Sequence, residues 1–293
     1  MFWKRRPKEE APAIGELRRL KEVSFLKDVG SGIGEHHLTS FAAALAYGAV
    51  FAVIPLVAVL VSLLGIFNAT DLVNRAIAEL GGILPSDVLS LVDTQLTQVA
   101  TSKDSGALGV GAVISILVAI WGVSGAMRRM MEALNVVEGA DPDPRSTVRR
   151  YLVSVGLALG AVLLILVALL VIVVGGGVAD SVFDVIGLGS TAATAWSILR
   201  WPAFLLLALV GVGLLYRYGA GTRTYGNVIT PGALFGTFGW VAFTGLFSIY
   251  VRFSSFDAAW GAVAGVIVFL LYTQYTGMIL LIGALLDSKL RQR

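Results

Sequence analysis

Six stretches of this chain are apolar for longer than the core of a soluble protein requires: Phe41 to Phe67, Ala107 to Met127, Tyr151 to Val174, Trp196 to Tyr216, Pro231 to Val251 and Trp260 to Leu286. Each reaches the roughly 20 residues that cross a bilayer's hydrocarbon core. In hydrocarbon no water satisfies backbone N–H and C=O groups, so each stretch must be a helix. Composition agrees, with 57% hydrophobic and 14% charged residues, where soluble domains carry roughly 25% charged. The expected fold class is an all-α integral membrane protein, a bundle of about six transmembrane helices.

An even number of spans puts both termini on one side, and Lys and Arg decide which side, because basic segments stay cytoplasmic. With the termini inside, only Arg75, Lys103, Arg200 and Arg252 fall in outer segments, leaving 18 of the 22 basic residues inside. The sequence therefore predicts a bacterial inner (plasma) membrane protein with cytoplasmic N- and C-termini. The apolar run begins too late for a signal peptide, so the N-terminus is expected to be retained. Three regions follow: a basic cytoplasmic segment over 1–40, a transmembrane domain over 41–287 and a basic tail over 288–293.

Two regions outside the spans have amphipathic character. Residues 16–29 interleave Leu17, Leu20, Val23 and Leu26 with Arg18, Arg19, Lys21 and Lys27, which predicts an interfacial helix on anionic lipid. Arg149 and Arg150, at the start of the third span, belong to the same cytoplasmic membrane surface. Between the first two spans, residues 71–84 and 86–100 read as short helices separated by Pro85, forming an external cap within 68–105. Thr230 before Pro231 reads as the N-cap of the fifth span, with proline at the first helical position. Paired glycines one turn apart (Gly156 and Gly160, Gly232 and Gly236, Gly261 and Gly265) are expected to let helix backbones approach.

Machinery for catalysis is not visible. The chain has no cysteine and only two histidines, His36 and His37, whose neighbouring side chains do not face one another on a helix. No metal site, no cofactor site, no Gly-x-Ser-x-Gly elbow and no phosphate-binding loop is recognisable. Basic charge sits where topology needs it, so no nucleic-acid partner is expected. The reading is that the chain is not an enzyme; membrane lipids, anionic at the cytoplasmic face, are its expected partners, and a homo-oligomer is compatible with it.

The spans are essentially free of charge, so function must be sought in uncharged polarity. Tyr47, Trp121, Ser124, Trp240, Tyr272 and Gln274 are candidates for a substrate path. Pro55 joins them because it should kink the first span. Gln274 is the first candidate for a central polar group. Interhelical hydrogen bonding is the competing role, because amides commonly hold helices together in membranes.

Several blocks resemble one family: Ala42 to Tyr47 with Pro55 downstream, Trp121-Gly122-Val123-Ser124 followed by Leu134-Asn135, Arg149-Arg150-Tyr151, Arg200-Trp201-Pro202, Tyr216-Arg217, Thr230 to Ala233 with Trp240, and Gly261 through Gly283-Ala284. Their order and spacing resemble the YihY/BrkB family of bacterial inner-membrane proteins, once labelled ribonuclease BN. The resemblance implies six spans, a plasma-membrane location, and export or flipping of lipidic or envelope-related molecules, with a link to serum resistance in some members. Where the family ends its last span in Gly-Ala-Glu-Leu-Asn, this chain reads Gly283-Ala284-Leu285-Leu286-Asp287. A proton relay through that glutamate is not carried over; Asp287 is the carboxylate left to substitute in part. Tyr272 and Gln274 stand where the family has Trp and Tyr. The expected function is a transporter or flippase-like exporter, with a non-transporting scaffold for envelope enzymes as the alternative; the lack of metal ligands speaks against ribonuclease activity.

Overall fold

A computed structural model describes residues 27–50, 105–173, 189–221, 226–253 and 262–292. Seven helices lie within them: α1 (27–35), α2 (Leu38–Val50), α3 (Ser105–Val137), α4 (Thr147–Val173), α5 (Gly189–Gly219), α6 (Pro231–Phe253) and α7 (Ala262–Arg291). The fold is all-α. Pro55, Arg18, Arg19, Lys21, Gly261 and the expected external helices lie outside the described residues.

Parts of α4, α5, α6 and α7 are long and apolar enough to cross a membrane. At most 17% of the residues in any of these apolar windows are buried in the protein. Their open flanks carry Leu, Ile, Val and Phe, a surface that only lipid solvates without cost. The first span is described only to Val50 and the side chains of α3 only from Ile120.

Buried side chains crowd at one end of the bundle. Leu38 and Ala42 of α2, Met131 and Leu134 of α3, Tyr216 of α5, Ala233 of α6, and Leu281, Ala284 and Leu285 of α7 are all essentially inaccessible. There the C-terminal ends of α3, α5 and α7 meet the N-terminal ends of α4 and α6. The same end carries Arg128, Arg129, Arg145, Arg149, Arg150, Arg217, Lys289 and Arg291.

Local chemistry sets the helix ends. Thr230 caps α6 as expected, its Oγ1 accepting the N–H of Ala233 at 3.1 Å. Ser146 caps α4 in the same way, accepting from Arg149 N–H at 3.4 Å. Arg149 and Arg150 then sit in the first turn, against the helix dipole, so helix stability does not account for them. His37 holds a left-handed φ of 51° at the α1–α2 turn, a conformation that costs an L-residue of the order of 1 kcal/mol.

Three expectations change. Apolar length suggests that the second span ends at Met127 and a loop begins at Arg128, yet α3 continues to Val137, because Met130, Leu134 and Val137 form a buried stripe at helical spacing. Gly139, with φ of 67°, then ends it in a Schellman arrangement: Ala140 N–H reaches Asn135 O at 2.8 Å and Gly139 N–H reaches Val136 O at 3.1 Å. Second, the helix of the fourth span starts at Gly189, well before Trp196, and runs unbroken through Pro202, so Arg200 lies within the helix and not at its edge. Third, a Cβ built on Gly156, Gly160 or Gly265 would meet nothing within 4 Å; among the described residues these glycines bring no helices together. Gly232 and Gly236 do. A Cβ on Gly232 would overlap the carbonyl oxygen of Gly283, and one on Gly236 would lie 2.8 Å from the Tyr216 hydroxyl.

Candidate functional site

Two polar constellations stand out. The first ties helix ends together at the crowded end. Asn135, near the end of α3, donates from Nδ2 to Asp143 Oδ2 at 3.0 Å, and its Oδ1 accepts the N–H of Gly221 at 2.5 Å. Asp143 also accepts from Arg145 Nε at 2.9 Å, from Arg145 Nη2 at 2.8 Å and from the backbone N–H of Arg145 at 2.9 Å. Arg145 also donates to the last carbonyls of α5, from Nη1 to Tyr218 O at 2.9 Å and from Nη2 to Gly219 O at 2.7 Å. A guanidinium fork is suited to this double duty. Burial alone would raise the Asp143 pKa, but the hydrogen bonds and charge of Arg145, with help from Asn135, hold it below the usual carboxylate range.

The same end is latched at α7. Asp287, only 2% exposed, accepts the N–H of Gly232 at 2.6 Å and the hydroxyl of Thr230. Ser288 donates to Val137 O at 3.1 Å, and Arg291 pairs with Glu138. Tyr216 wedges between α6 and α7 and donates to the Leu280 carbonyl. Beside Asp287 opens a groove of about 380 Å³ lined by Gly226, Asn227, Thr230, Pro231, Asp287 and Leu290. His36, in the turn before α2, has a pKa below the ordinary value because of partial burial and the nearby charge of Lys289, against which Glu35 acts.

The second constellation lies halfway along α6, whose 23 residues rise about 35 Å. Trp240 Nε1 donates to Tyr272 Oη at 3.0 Å, and Tyr272 Oη lies 3.1 Å from Thr244 Oγ1. Thr244 Oγ1 also lies 2.8 Å from the Trp240 carbonyl; when its proton goes there, Tyr272 donates to Thr244 and the ring presents lone pairs to another molecule. Around it stand Phe243 and Phe247, with ring centroids 5.8 and 5.4 Å from Tyr272, and Phe204, 6.2 Å from Trp240.

The candidate residues divide accordingly. Trp240 and Tyr272 are brought together. Gln274, half-buried on α7, takes no part in their ring. Ser124 is fully buried on α3, while Tyr47 and Trp121 are 59% and 67% exposed. Lys27 and Arg149 are exposed and Arg150 half-buried. Sequence reasoning missed Asn135, Asp143, Arg145 and Tyr216 as partners, although Leu134-Asn135 and Tyr216-Arg217 were among the blocks of the resemblance. Among the described residues, no group of three His, Cys, Asp or Glu side chains comes together as metal ligands would.

Apolar helices gathered over a basic end, with a half-buried hydrogen-bonded ring halfway along one of them, define a polytopic α-helical membrane protein. The chain belongs to the virulence factor BrkB family, whose sequence profile matches residues 29–293. It is 28% identical over 273 residues to the putative ribonuclease-like protein YfkH of Bacillus subtilis (strain 168), an alignment covering 92% of this chain and 96% of that protein. No solved structure matches it.

Proposed function

We propose that the protein is a transporter or flippase-like exporter of a lipidic or envelope-related molecule in a bacterial inner membrane, with both termini in the cytoplasm and anionic lipid at the basic end. The observation that carries this reading is the Trp240–Tyr272–Thr244 ring. Polar groups in the middle of a membrane helix are costly and tend to mark function. When its donors are satisfied internally, the ring offers acceptors to a hydroxyl, amide or ammonium on a passing amphipathic molecule, and the surrounding rings offer an apolar or cationic contact. The clamps at the basic end join α6 to α7 and also tie α7 to α3 and α5.

The test is translocation by purified, uniformly oriented protein in liposomes containing candidate lipids and envelope precursors. Movement of one class, lost in a Tyr272→Phe variant, supports the reading; no movement of any class by folded protein counts against it. The name of the Bacillus relative points to RNA cleavage, but the described residues supply no ligand cluster for metal-assisted hydrolysis. A scaffold is favoured by Tyr47 and Trp121, large aromatic side chains open to another membrane protein. Native co-purification of a stoichiometric partner, without translocation, would select it.

A further inference from the structure

We infer that Ser124, Arg128 and Tyr151 form a binding site for the phosphate group of an anionic membrane lipid. Arg128 does not point away along α3. Its guanidinium folds back toward the apolar part of the helix, so that a Cβ on Gly125 would lie 3.7 Å from Nη2. The guanidinium carbon sits 5.2 Å from the centre of the Tyr151 ring on α4. Nη1 is buried and has no hydrogen-bond partner. The ion pairs of the described residues, Arg145 with Asp143 and Arg291 with Glu138, leave Arg128 out. Glu132, one turn on, is exposed.

One turn earlier on the same face, Ser124 is 0% exposed, and its hydroxyl also has no partner. Three other hydroxyls in these helices give their proton to a carbonyl of the preceding turn: Ser154 to Tyr151 O at 2.7 Å, Thr237 to Ala233 O at 2.8 Å and Thr244 to Trp240 O at 2.8 Å. Ser124 does not, and Thr276 on α7 is unpartnered as well. A buried guanidinium nitrogen and a buried hydroxyl one turn apart on one helix face, both without a hydrogen-bond partner, are each expensive unless an acceptor arrives from outside. A planar fork beside a hydroxyl donor suits the oxygens of a phosphate anion.

The surroundings assign that phosphate to a lipid rather than to solution. Tyr151 is 44% exposed, at the level where interfacial aromatic rings meet headgroups. Below it on α4 runs an exposed strip through Leu152, Gly156, Leu159, Gly160 and Leu163, floored by the two glycines that touch no other helix among the described residues. That strip has the shape and polarity to take an acyl chain whose headgroup lies on Arg128. The site does not require that the protein move lipid.

The experiment is titration of the full-length chain in mixed micelles, followed by native mass spectrometry, with phosphatidylglycerol, diacylglycerol and inorganic phosphate as separate probes. Phosphatidylglycerol should be retained, diacylglycerol should not, and millimolar inorganic phosphate should not displace the lipid. Arg128→Gln and Ser124→Ala should each weaken retention, the first by roughly tenfold or more, as expected for a charge-assisted hydrogen bond. Arg129→Gln, the same charge change on an exposed neighbour, should alter it less than about twofold. Equal losses in the two arginine variants, equal binding of diacylglycerol, or displacement by inorganic phosphate would overturn the assignment. If Arg128→Gln does not fold, Ser124→Ala decides, since unchanged retention in that variant is equally fatal.

Discussion

Asp287, near the end of the last helix, accepts the backbone N–H of Gly232 at 2.6 Å, so the carboxylate of one helix caps the first turn of its neighbour. Thr230, the residue before α6, completes the cap, donating to Asp287 and accepting from Ala233. The arrangement needs close backbones, and Gly232 and Gly283 supply them: a Cβ on Gly283 would lie 2.6 Å from the Gly232 carbonyl oxygen. Thr230→Ala should cost about 1 kcal/mol and Asp287→Ala about 2 kcal/mol, the upper part of the capping range. Gly232→Ala should cost about 4 kcal/mol or more, because the obstruction is backbone that cannot turn aside. Thermal unfolding in detergent checks the order; a Gly232→Ala protein as stable as Thr230→Ala would show that the helices are not in contact there.

Asp143 and Arg145 give the crowded end a pH dependence. The side chains are 3% and 9% exposed, and removing one partner of such a pair leaves the other charge buried, so Asp143→Ala should cost roughly 3 kcal/mol. The Asp143 pKa is lowered on folding. Its contribution is therefore complete above the unfolded value of about 3.9 and is lost as pH falls through the lower folded value. Unfolding of the wild type measured between neutral pH and pH 3 should fall more steeply at the acid end than that of Asp143→Asn. Parallel curves would mean that the pair does not form.

His36 acts in a higher window. Its pKa is also lowered on folding, but as a base it binds its proton more readily when unfolded. Stability should thus fall as pH drops below about 6.5, until the folded group is protonated too. His36→Gln should flatten the curve between roughly pH 5 and 7. Lys289→Gln, which removes one charge opposing protonation, should flatten it in part. A wild-type curve already flat over this interval would show that His36 is as accessible folded as unfolded.

Much of the fold was legible because apolar length is a simple signal. The extents of α4, α6 and α7, the Thr230 cap and the basic end follow from local sequence and need no knowledge of neighbours. The continuation of α3 beyond Met127 was hidden because Arg128 and Arg129 look like a membrane exit, whereas the Met130, Leu134 and Val137 stripe matters only once α5 and α7 are there to cover it. Asn135, Asp143 and Arg145 escaped for a similar reason: their partners Gly219 and Gly221 lie more than 70 residues away, a separation that sequence pattern does not encode. Gly156 and Gly160 looked like a packing motif because spacing shows which residues share a face but not what that face meets. Of the candidate residues, Trp240 and Tyr272 are brought together, and their partner Thr244 escaped because its place in the ring depends on α7 lying against α6.

The closed ring also makes the last prediction decisive between a structural and a transporting role. Tyr272→Phe removes the acceptor of Trp240 Nε1 and the donor to Thr244 while leaving the ring stack on Phe243 and Phe247 intact. As interhelical glue, that hydroxyl should contribute about 0.5–2 kcal/mol, the range for such bonds in membranes. Thr244→Val should cost less, because Trp240 and Tyr272 keep their own bond. If the ring only holds helices, translocation per folded molecule should be the same in both variants and in the wild type. If its lone pairs meet the substrate, Tyr272→Phe should lower translocation by roughly tenfold or more per folded molecule, beyond what its stability loss explains. Thr244→Val, which frees the Tyr272 proton to meet an acceptor, should shift substrate preference rather than abolish movement. Folded fraction and initial translocation rate, measured on the same reconstituted samples, separate the two cases, and equal rates in all three proteins would place the function of this bundle elsewhere.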